Sequence, residues 1–158
     1  MTRGLPRMRR GTRLGIDVGK VRIGVAACDP DGMLATPVEN VARGDGDLDR
    51  LAELAKEREV IEVVVGFPRS LSGQEGPAAR EVRAFATNLT RYVEPCPVRL
   101  VDERMTTSVA MRAMQASGVS TRKGRKSVDQ AAAMMILQHA LDAERANGVP
   151  PGEVVTEA

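Results

Sequence analysis

The sequence of 158 residues has little of several residue types on which common functions depend. It holds one histidine (His139), two cysteines (Cys28 and Cys96), three aromatic residues and no tryptophan. A structural zinc site usually takes four Cys or His ligands, and three candidates spaced this far apart do not form one. Three rings are also too few for the stacking platforms of single-strand-binding domains. Carboxylates are therefore the side chains expected to carry any chemistry.

The sequence also has no long apolar run and no apolar core of a signal peptide near its basic N-terminus. The longest apolar stretch, residues 131–137, is far too short to span a bilayer. Two distant cysteines fit a reducing compartment, where neither needs a disulfide partner. We therefore expect a cytoplasmic protein with one domain, because the length suits a single hydrophobic core.

The net charge of +2 conceals an uneven distribution of basic residues. Residues 1–13 carry five arginines and no acid, and residues 118–127 carry Arg122, Lys123, Arg125 and Lys126, again with no acid. The rest of the chain has 14 basic and 21 acidic residues. Two basic segments on an acidic body favour contact with a phosphate backbone, although solubility alone also explains them.

The apolar pattern predicts three antiparallel strands followed by alternating helices and strands. The predicted strands are 13–18, 22–28, one within 33–41, 61–67 and 97–102. The predicted helices cover 47–59, 77–91, a segment from Thr106 or Thr107 to about 118, and 127–147. Asp47 is the predicted cap of the first helix, and a capping box at Ser127 begins the last. Residues 118–126 are a predicted loop. This order is typical of an α/β protein with an RNase H-like fold: a five-stranded mixed sheet flanked by helices. The predicted domain covers 13–147, with a basic tail at 1–12 and a C-terminal tail at 148–158.

Four carboxylates, at three places in the chain, stand out by their positions. Asp17 lies within the first strand, where an ionised carboxylate is costly unless it is paired or bound to a metal. Asp102 and Glu103 close the fifth strand, and because neighbouring strand residues face opposite sides, only one of them is expected beside Asp17. Asp129 lies in the first turn of the predicted last helix, where the helix dipole also favours an acid. Surface ion pairs and the helix dipole are the alternative explanations for these acids.

Convergent carboxylates of this kind are typical of sites that bind two divalent metals. Mg²⁺ and Mn²⁺ prefer oxygen ligands and need neither His nor Cys. In such a site one ion activates a water for attack on phosphorus, and the other stabilises the leaving oxygen.

Four sequence blocks resemble the signature blocks of the YqgF/RuvX family, whose members are described as Holliday junction resolvases and pre-16S rRNA nucleases. The blocks are RLGIDVGKVRIGVA, VVVGFPRSLSGQEGPAA, VDERMTTSVA and KSVDQAAAMMILQ, and they occur in the family's order across residues 13–138. The resemblance implies an RNase H-like nuclease whose catalytic and metal-binding acids are Asp17, Glu103 and Asp129. It also implies Mg²⁺ or Mn²⁺, two ions in all, and work in ribosomal RNA maturation or recombination. Ser70 and Ser72 replace residues that are often Asn and Asp in the family, and Lys126 stands where RuvC-type resolvases have a fourth ligand.

The expected partner is structured nucleic acid, either pre-rRNA or a four-way DNA junction, bound by a monomer or a homodimer. The predicted contacts are basic residues near the candidate acids or in the basic segment: Lys20, Arg22, Arg69, Arg104, Arg122, Lys123, Arg125 and Lys126.

Two other functions remain open from the sequence. One is an RNase H-like module that binds nucleic acid or a ribosome precursor without cleaving it. The other is an ATP-binding fold of the actin and sugar-kinase type, because GIDVGKVRIGVA also resembles the first phosphate loop of those proteins. That fold needs a second such lobe and about twice the length, so the nuclease is the preferred hypothesis.

Overall fold

The computed structural model describes residues 8–68, 74–102 and 121–156, with side chains from residue 130 onward in the last range. The strands are β1 (Arg13–Val18), β2 (Arg22–Cys28), β3 (Ala35–Ala42), β4 (Glu62–Phe67), β5 (Val98–Asp102) and β6 (Glu153–Val154). The described helices are α1 (Asp47–Glu57), α2 (Pro77–Val93) and α3 (Thr121–Asn147).

The strands form one mixed sheet in the order β3-β2-β1-β4-β5-β6. β1, β2 and β3 are antiparallel neighbours, whereas β4 pairs parallel to β1 and β5 parallel to β4. The carboxyl ends of β1, β4 and β5 therefore share one edge of the sheet, here called the carboxyl edge. This arrangement confirms the predicted meander followed by parallel strands.

Helices cover the two faces of the sheet unequally. α1 and α2 bury Leu51, Leu54, Phe85 and Leu89 against one face, together with β-branched residues of the strands. α3 alone, among the described helices, packs on the other face, through Ala133, Ile136, Leu137, Ala140 and Leu141. The continuous burial of β4 follows from this double cover, as expected of the apolar run in that strand.

The structure corrects three sequence predictions. Residues 121–126, predicted as a loop, are helical, so Ser127 lies inside α3 and its capping box is wrong. The N-cap of α1 is Gly46, at φ 88°, and not Asp47, whose carboxylate accepts hydrogen bonds from the N–H groups of Gly44 and Leu48. The predicted C-terminal tail contains β6, which pairs with the outer edge of β5.

Two further findings concern segments outside the sheet. The predicted helix between Thr106 and 118 lies outside the described residues. No helix of the described ranges combines the length and apolar character needed to cross a membrane.

Candidate active site

Asp17 lies near the carboxyl edge, on the face of the sheet that α3 covers. It is partly buried and is paired in register with Gly24 of β2. Gly15, two residues earlier on the same face, lies so close to α3 that an added Cβ would be 2.7 Å from Cβ of Leu137 and 3.1 Å from the carbonyl oxygen of Ala133. Side chains alternate along a strand, so Asp17 shares this face with Gly15. The predicted alternation in β1 therefore places the carboxylate of Asp17 on the face of the sheet that α3 covers.

The direction of α3 follows from its contacts at the two ends of β1. Glu144, near the end of α3, bonds Arg13 at the start of β1, whereas Ala133 and Leu137 lie against Gly15. α3 therefore runs antiparallel to β1, and its earlier residues lie toward the carboxyl edge. Asp129 precedes Ala133 by one turn, about 6 Å, while Asp17 follows Gly15 by about 7 Å. The backbone of Asp129 consequently lies at the same end of the sheet as Asp17.

The pairing of β5 distinguishes between the two acids that close it. Asp102 pairs with Phe67, which belongs to the core beneath α1 and α2. Val101 belongs to the core beneath α3. Asp102 therefore lies on the face opposite to Asp17, and a chain that stays extended would bring Glu103 to the face of Asp17. Glu103 itself lies outside the described residues.

The described residues thus include the side chain of one of the three predicted ligands. Asp17 is described in full, Asp129 by its backbone, and Glu103 not at all. Within the described ranges no group of three or more His, Cys, Asp or Glu side chains is arranged to hold a metal ion. The three acids stay a prediction, to which the strand faces and the direction of α3 add support.

Two of the predicted nucleic-acid contacts lie at the hairpin between β1 and β2. Lys20 is exposed in this turn, and Arg22 is partly buried on the face of Asp17, since it precedes Gly24 by two residues. Arg43 supports this hairpin. Its guanidinium donates a hydrogen bond to the carbonyl oxygen of Gly19 at 2.7 Å and lies over the ring of Phe85, with Cζ 5.2 Å from the ring centroid. Sequence reasoning missed Arg43, which carries no motif.

The remaining predicted contacts fall beyond the described side chains. Arg69 and Arg104 lie outside the described residues. The backbone positions of Arg122, Lys123, Arg125 and Lys126 belong to the first two turns of α3. Because these positions are helical, the basic segment forms the start of α3, which is the end that lies toward the carboxyl edge.

A buried set of charges at the opposite edge fixes the other end of α3. This ion cluster consists of Arg9, Arg13, Glu62, Arg99 and Glu144. Arg9 bonds Glu144 at 2.8 Å and Glu62 at 3.0 Å, and Arg13 bonds Glu144 at 3.1 Å. Arg99 bonds Glu62 at 2.9 Å. Arg9 and Arg13 thus neutralise internal acids, and these two arginines of the basic N-terminal segment are engaged within the fold.

The ion cluster shifts the titration of Glu144. Burial alone would raise the pKa of Glu144, but hydrogen bonds from the side chain and backbone N–H of Arg9, with the charges of Arg13 and Arg9, lower that pKa to about 2. The carboxylate is therefore ionised at every ordinary pH, and α3 stays attached to the start of β1.

A cavity of about 580 Å³ on the other side of the molecule is acidic. It lies between α1 and the end of α2 and is lined by Asp49, Glu53, Glu59 and Glu94 with a single lysine, Lys56. These acids repel a phosphate backbone, so this cavity is no candidate for the substrate. The basic residues and Asp17 both belong to the carboxyl edge instead.

Comparison with solved structures defines the class of protein first. Thermus thermophilus RuvC, in a structure described as a complex with a Holliday junction substrate, superposes with a TM-score of 0.54 and 16% identity over 89% of this chain and 99% of that chain. A second Thermus thermophilus RuvC structure gives a TM-score of 0.51 at the same identity. The chain therefore has the RNase H-like α/β fold, as the order of its strands predicted.

Sequence comparison then identifies the family. The sequence model described as "RuvX: Holliday junction resolvase" matches residues 11–143. Proteins of Streptomyces coelicolor and Nocardioides sp. are each 60% identical, over 95% of this chain and 91% and 99% of their own lengths. A Thermobifida fusca protein is 56% identical over 94% of this chain and 98% of its own length. All three carry the name "Putative pre-16S rRNA nuclease". The chain belongs to the RuvX family, and it is a nuclease, a hydrolase of phosphodiester bonds.

Proposed function

We propose that this nuclease cleaves structured RNA at the 5′ end of pre-16S rRNA, using divalent metal ions held by Asp17, Glu103 and Asp129. The observation that carries the proposal is the position of Asp17: a partly buried carboxylate on the face that α3 covers, at the edge where β1, β4 and β5 end. The names of the relatives supply the substrate class. A four-way DNA junction, the substrate in one RuvC structure, is the second candidate.

The donors in this region fit a hard cation. Asp17 contributes carboxylate oxygens, the strand alternation favours Glu103 on the same face, and the direction of α3 favours Asp129 at the same edge. Oxygen ligands of this kind suit Mg²⁺ or Mn²⁺, and the two carboxylates beyond Asp17 would allow a pair of ions. Such ions supply an activated water and neutralise the charge that develops on the phosphate.

The basic residues of the chain position the substrate in this proposal. Lys20 and Arg22 lie beside Asp17 on the hairpin, and Arg69 and Arg104 follow β4 and β5 in sequence. Arg122, Lys123, Arg125 and Lys126 approach from α3. Contacts from several sides of one edge bind the backbone of a folded RNA without reading its bases, which suits a protein poor in aromatic rings.

The place and assembly of the protein are part of the proposal. A nuclease that processes pre-16S rRNA acts in the cytoplasm. In this proposal the chain acts there either as a monomer or as a homodimer. A four-way junction favours two sites related by a two-fold axis, whereas cleavage at one end of an RNA needs a single site.

The test of the site is Asp17→Asn. We expect this change to abolish cleavage, because the neutral amide no longer neutralises a cation, and to leave the melting temperature equal or higher. The substrates are a pre-16S rRNA fragment and a four-way DNA junction, each assayed with and without Mn²⁺. Asp45→Asn is the matched control, because Asp45 is exposed in the loop before α1.

The outcomes separate the nuclease from a binding module. Cleavage by Asp17→Asn at the wild-type rate would overturn the proposed site. Metal-independent binding by the wild-type protein, with no cleavage of either substrate, would favour the module that binds without catalysis.

A further inference from the structure

The acidic cavity between α1 and the end of α2 combines an apolar floor with a charged rim. Its volume of about 580 Å³ lies in the range of clefts that bind ligands in proteins, about 300–1,000 Å³. The apolar residues that line it include Ala52, Ala55, Val60, Tyr92, Val93 and Pro95. A cleft with such a floor suits a ligand that has apolar groups of its own.

Tyr92 places an aromatic ring in this cavity. All three aromatic side chains of the chain are described: Phe67 and Phe85 are 1% and 8% exposed, whereas Tyr92 is 47% exposed. Tyrosine is enriched in protein–protein interfaces because its ring offers a large contact area, and the face of the ring attracts the cations of Lys and Arg. An exposed ring inside an acidic cavity therefore favours a ligand that carries positive charge.

The rim of the cavity carries negative charge that the fold does not neutralise. Four carboxylates and one ammonium group line it: Asp49, Glu53, Glu59, Glu94 and Lys56. Glu53 bonds Arg50 at 2.8 Å. The carboxylates of Asp49, Glu59 and Glu94 have no hydrogen bond or ion pair with any residue that the structure describes. A ligand with Lys or Arg side chains supplies the missing counter-charges.

Glu59 occupies a position that is unfavourable for its residue type. α1 ends in a Schellman motif, in which the N–H of Val60 donates to the carbonyl oxygen of Ala55 and the N–H of Glu59 to that of Lys56, both at 3.1 Å. Glu59 has the left-handed φ of 50° that this motif requires and that glycine adopts without strain. The helix dipole also opposes a carboxylate at this end of a helix. The charge of Glu59 at the rim of the cavity is therefore better explained by binding than by stability.

We propose that the acidic cavity binds a basic segment of a partner protein, with Lys or Arg side chains beside the carboxylates and an apolar side chain against Tyr92. Such segments are typical of proteins that bind RNA, because phosphate attracts Lys and Arg. The partner that fits is a protein bound to the RNA that this nuclease cleaves, and this last step rests on the proposed function. The cavity lies where α1 and α2 end, beside the starts of β4 and β5, about 20 Å from the carboxyl edge. A bound segment therefore leaves the region of Asp17 open.

The test measures the binding of a peptide in the absence of RNA. The probe is a short fluorescein-labelled peptide in which arginine and leucine alternate, and its fluorescence anisotropy is followed as the protein is added. We expect this peptide to bind with an affinity that falls as the salt concentration rises, because the charge pairs are screened. A peptide with glutamate in place of arginine should not bind.

Variants of the cavity separate binding from folding. Glu59→Gly is expected to weaken peptide binding by about 2- to 5-fold, the effect of one charge pair at the surface. Its melting temperature should stay equal or rise, because glycine removes the strain at φ 50°. Tyr92→Ala is expected to weaken binding by about 10-fold, as the loss of an aromatic anchor does. Glu57→Gln is the matched control, because the Glu57 side chain is 59% exposed two residues before Glu59 and does not line the cavity.

Each other outcome contradicts the proposal. Failure of the basic peptide to bind would overturn it, and equal losses in Glu59→Gly and Glu57→Gln would show attraction by the overall charge alone. Displacement of the peptide by spermine, together with no effect of Tyr92→Ala, would assign the cavity to small cations. The failure of the proposed function has a different signature, namely no cleavage of either substrate by the wild-type protein, and peptide binding can still be measured in that case.

Discussion

Gly15 determines how closely α3 approaches the strand that carries Asp17. An added Cβ would lie 2.7 Å from Cβ of Leu137, which is shorter than any normal carbon contact, and 3.1 Å from the backbone oxygen of Ala133. Neither neighbour is the free end of a flexible side chain. Only a residue without a Cβ therefore allows this separation between β1 and α3, and through it the approach of the Asp129 backbone to the carboxyl edge.

Replacement of Gly15 by serine should separate α3 from the sheet. We expect Gly15→Ser to lower the free energy of unfolding by about 1–3 kcal/mol, as overpacking does, and to reduce cleavage further because Asp129 moves with the helix. Chemical denaturation and the cleavage assay measure the two effects. Gly76→Ser is the matched control, because no atom lies within 4 Å of an added Cβ there and serine is favoured at the N-cap of α2. Equal stabilities of the two variants would contradict the packing argument.

The sequence predicted single residues well where a local pattern determines them. The alternation of Leu14 and Ile16 with Gly15 and Asp17 is enough to place the carboxylate on one face of β1. The sequence does not show that α3 covers this face, because that depends on packing between residues more than 100 positions apart. Arg43 was missed for the same reason, since an isolated Arg after a strand has no distinguishing sequence signal.

Among the elements, α3 connects the two ends of the molecule. Glu144 fixes its end to Arg13 and Arg9 at the amino end of β1, and its first turns carry the basic residues toward the carboxyl edge. Glu144 and the backbone of Asp129 therefore belong to one helix, 15 residues apart. One helix thus joins the ion cluster at the far edge of the sheet to the region of the candidate site.

The loss of the Glu144 charge should be strongly destabilising. Glu144→Gln leaves the guanidinium of Arg13, itself 1% exposed, buried without its counter-charge. Breaking a buried pair by removing one partner costs about 3–5 kcal/mol. Asp142→Asn is the matched control two residues away, because the Asp142 side chain is 58% exposed and its ion pair with Arg145 should contribute less than about 1 kcal/mol. Thermal and urea denaturation compare the two, and a similar loss in both would contradict a structural role for the cluster.

The elements themselves were predicted with uneven success, and the reasons are physical. β1, β2 and β4 matched their predicted bounds closely because their apolar patterns are strong. The sequence of the first turns of α3 predicts a loop because residues 121–126 are polar and show no apolar face, although Arg and Lys are good helix formers. β6 was missed because two exposed residues form a strand only through pairing with the edge of β5.

At the scale of the whole molecule, charge is divided between opposite sides. The acidic cavity lies beside α1 and α2, and the basic residues of the hairpin and α3 lie toward the carboxyl edge. Arg9 and Arg13, two of the five arginines in the basic N-terminal segment, instead neutralise buried acids within the fold. Part of the positive charge of this protein thus stabilises its structure, and the basic residues of the hairpin and of α3 lie toward the edge that carries Asp17.

The same division of charge predicts how the molecule responds to acid. Glu144 has a pKa of about 2 in the folded protein, against an ordinary value of 4.5, and hydrogen bonds from Arg50 likewise lower the pKa of Glu39. A lowered folded-state pKa means that the stabilisation is complete above the unfolded value and is lost as pH falls through the folded one. We therefore expect the free energy of unfolding to decline from about pH 4.5 down to pH 2, with α3 loosening as Glu144 protonates. Urea denaturation at fixed ionic strength across this range measures the decline. The difference in stability between the wild-type protein and Glu144→Gln should shrink in the same interval, because protonation removes the same charge that the substitution removes. A difference that stays constant from pH 6 to pH 2 would show that Glu144 contributes through its shape alone and not through its charge.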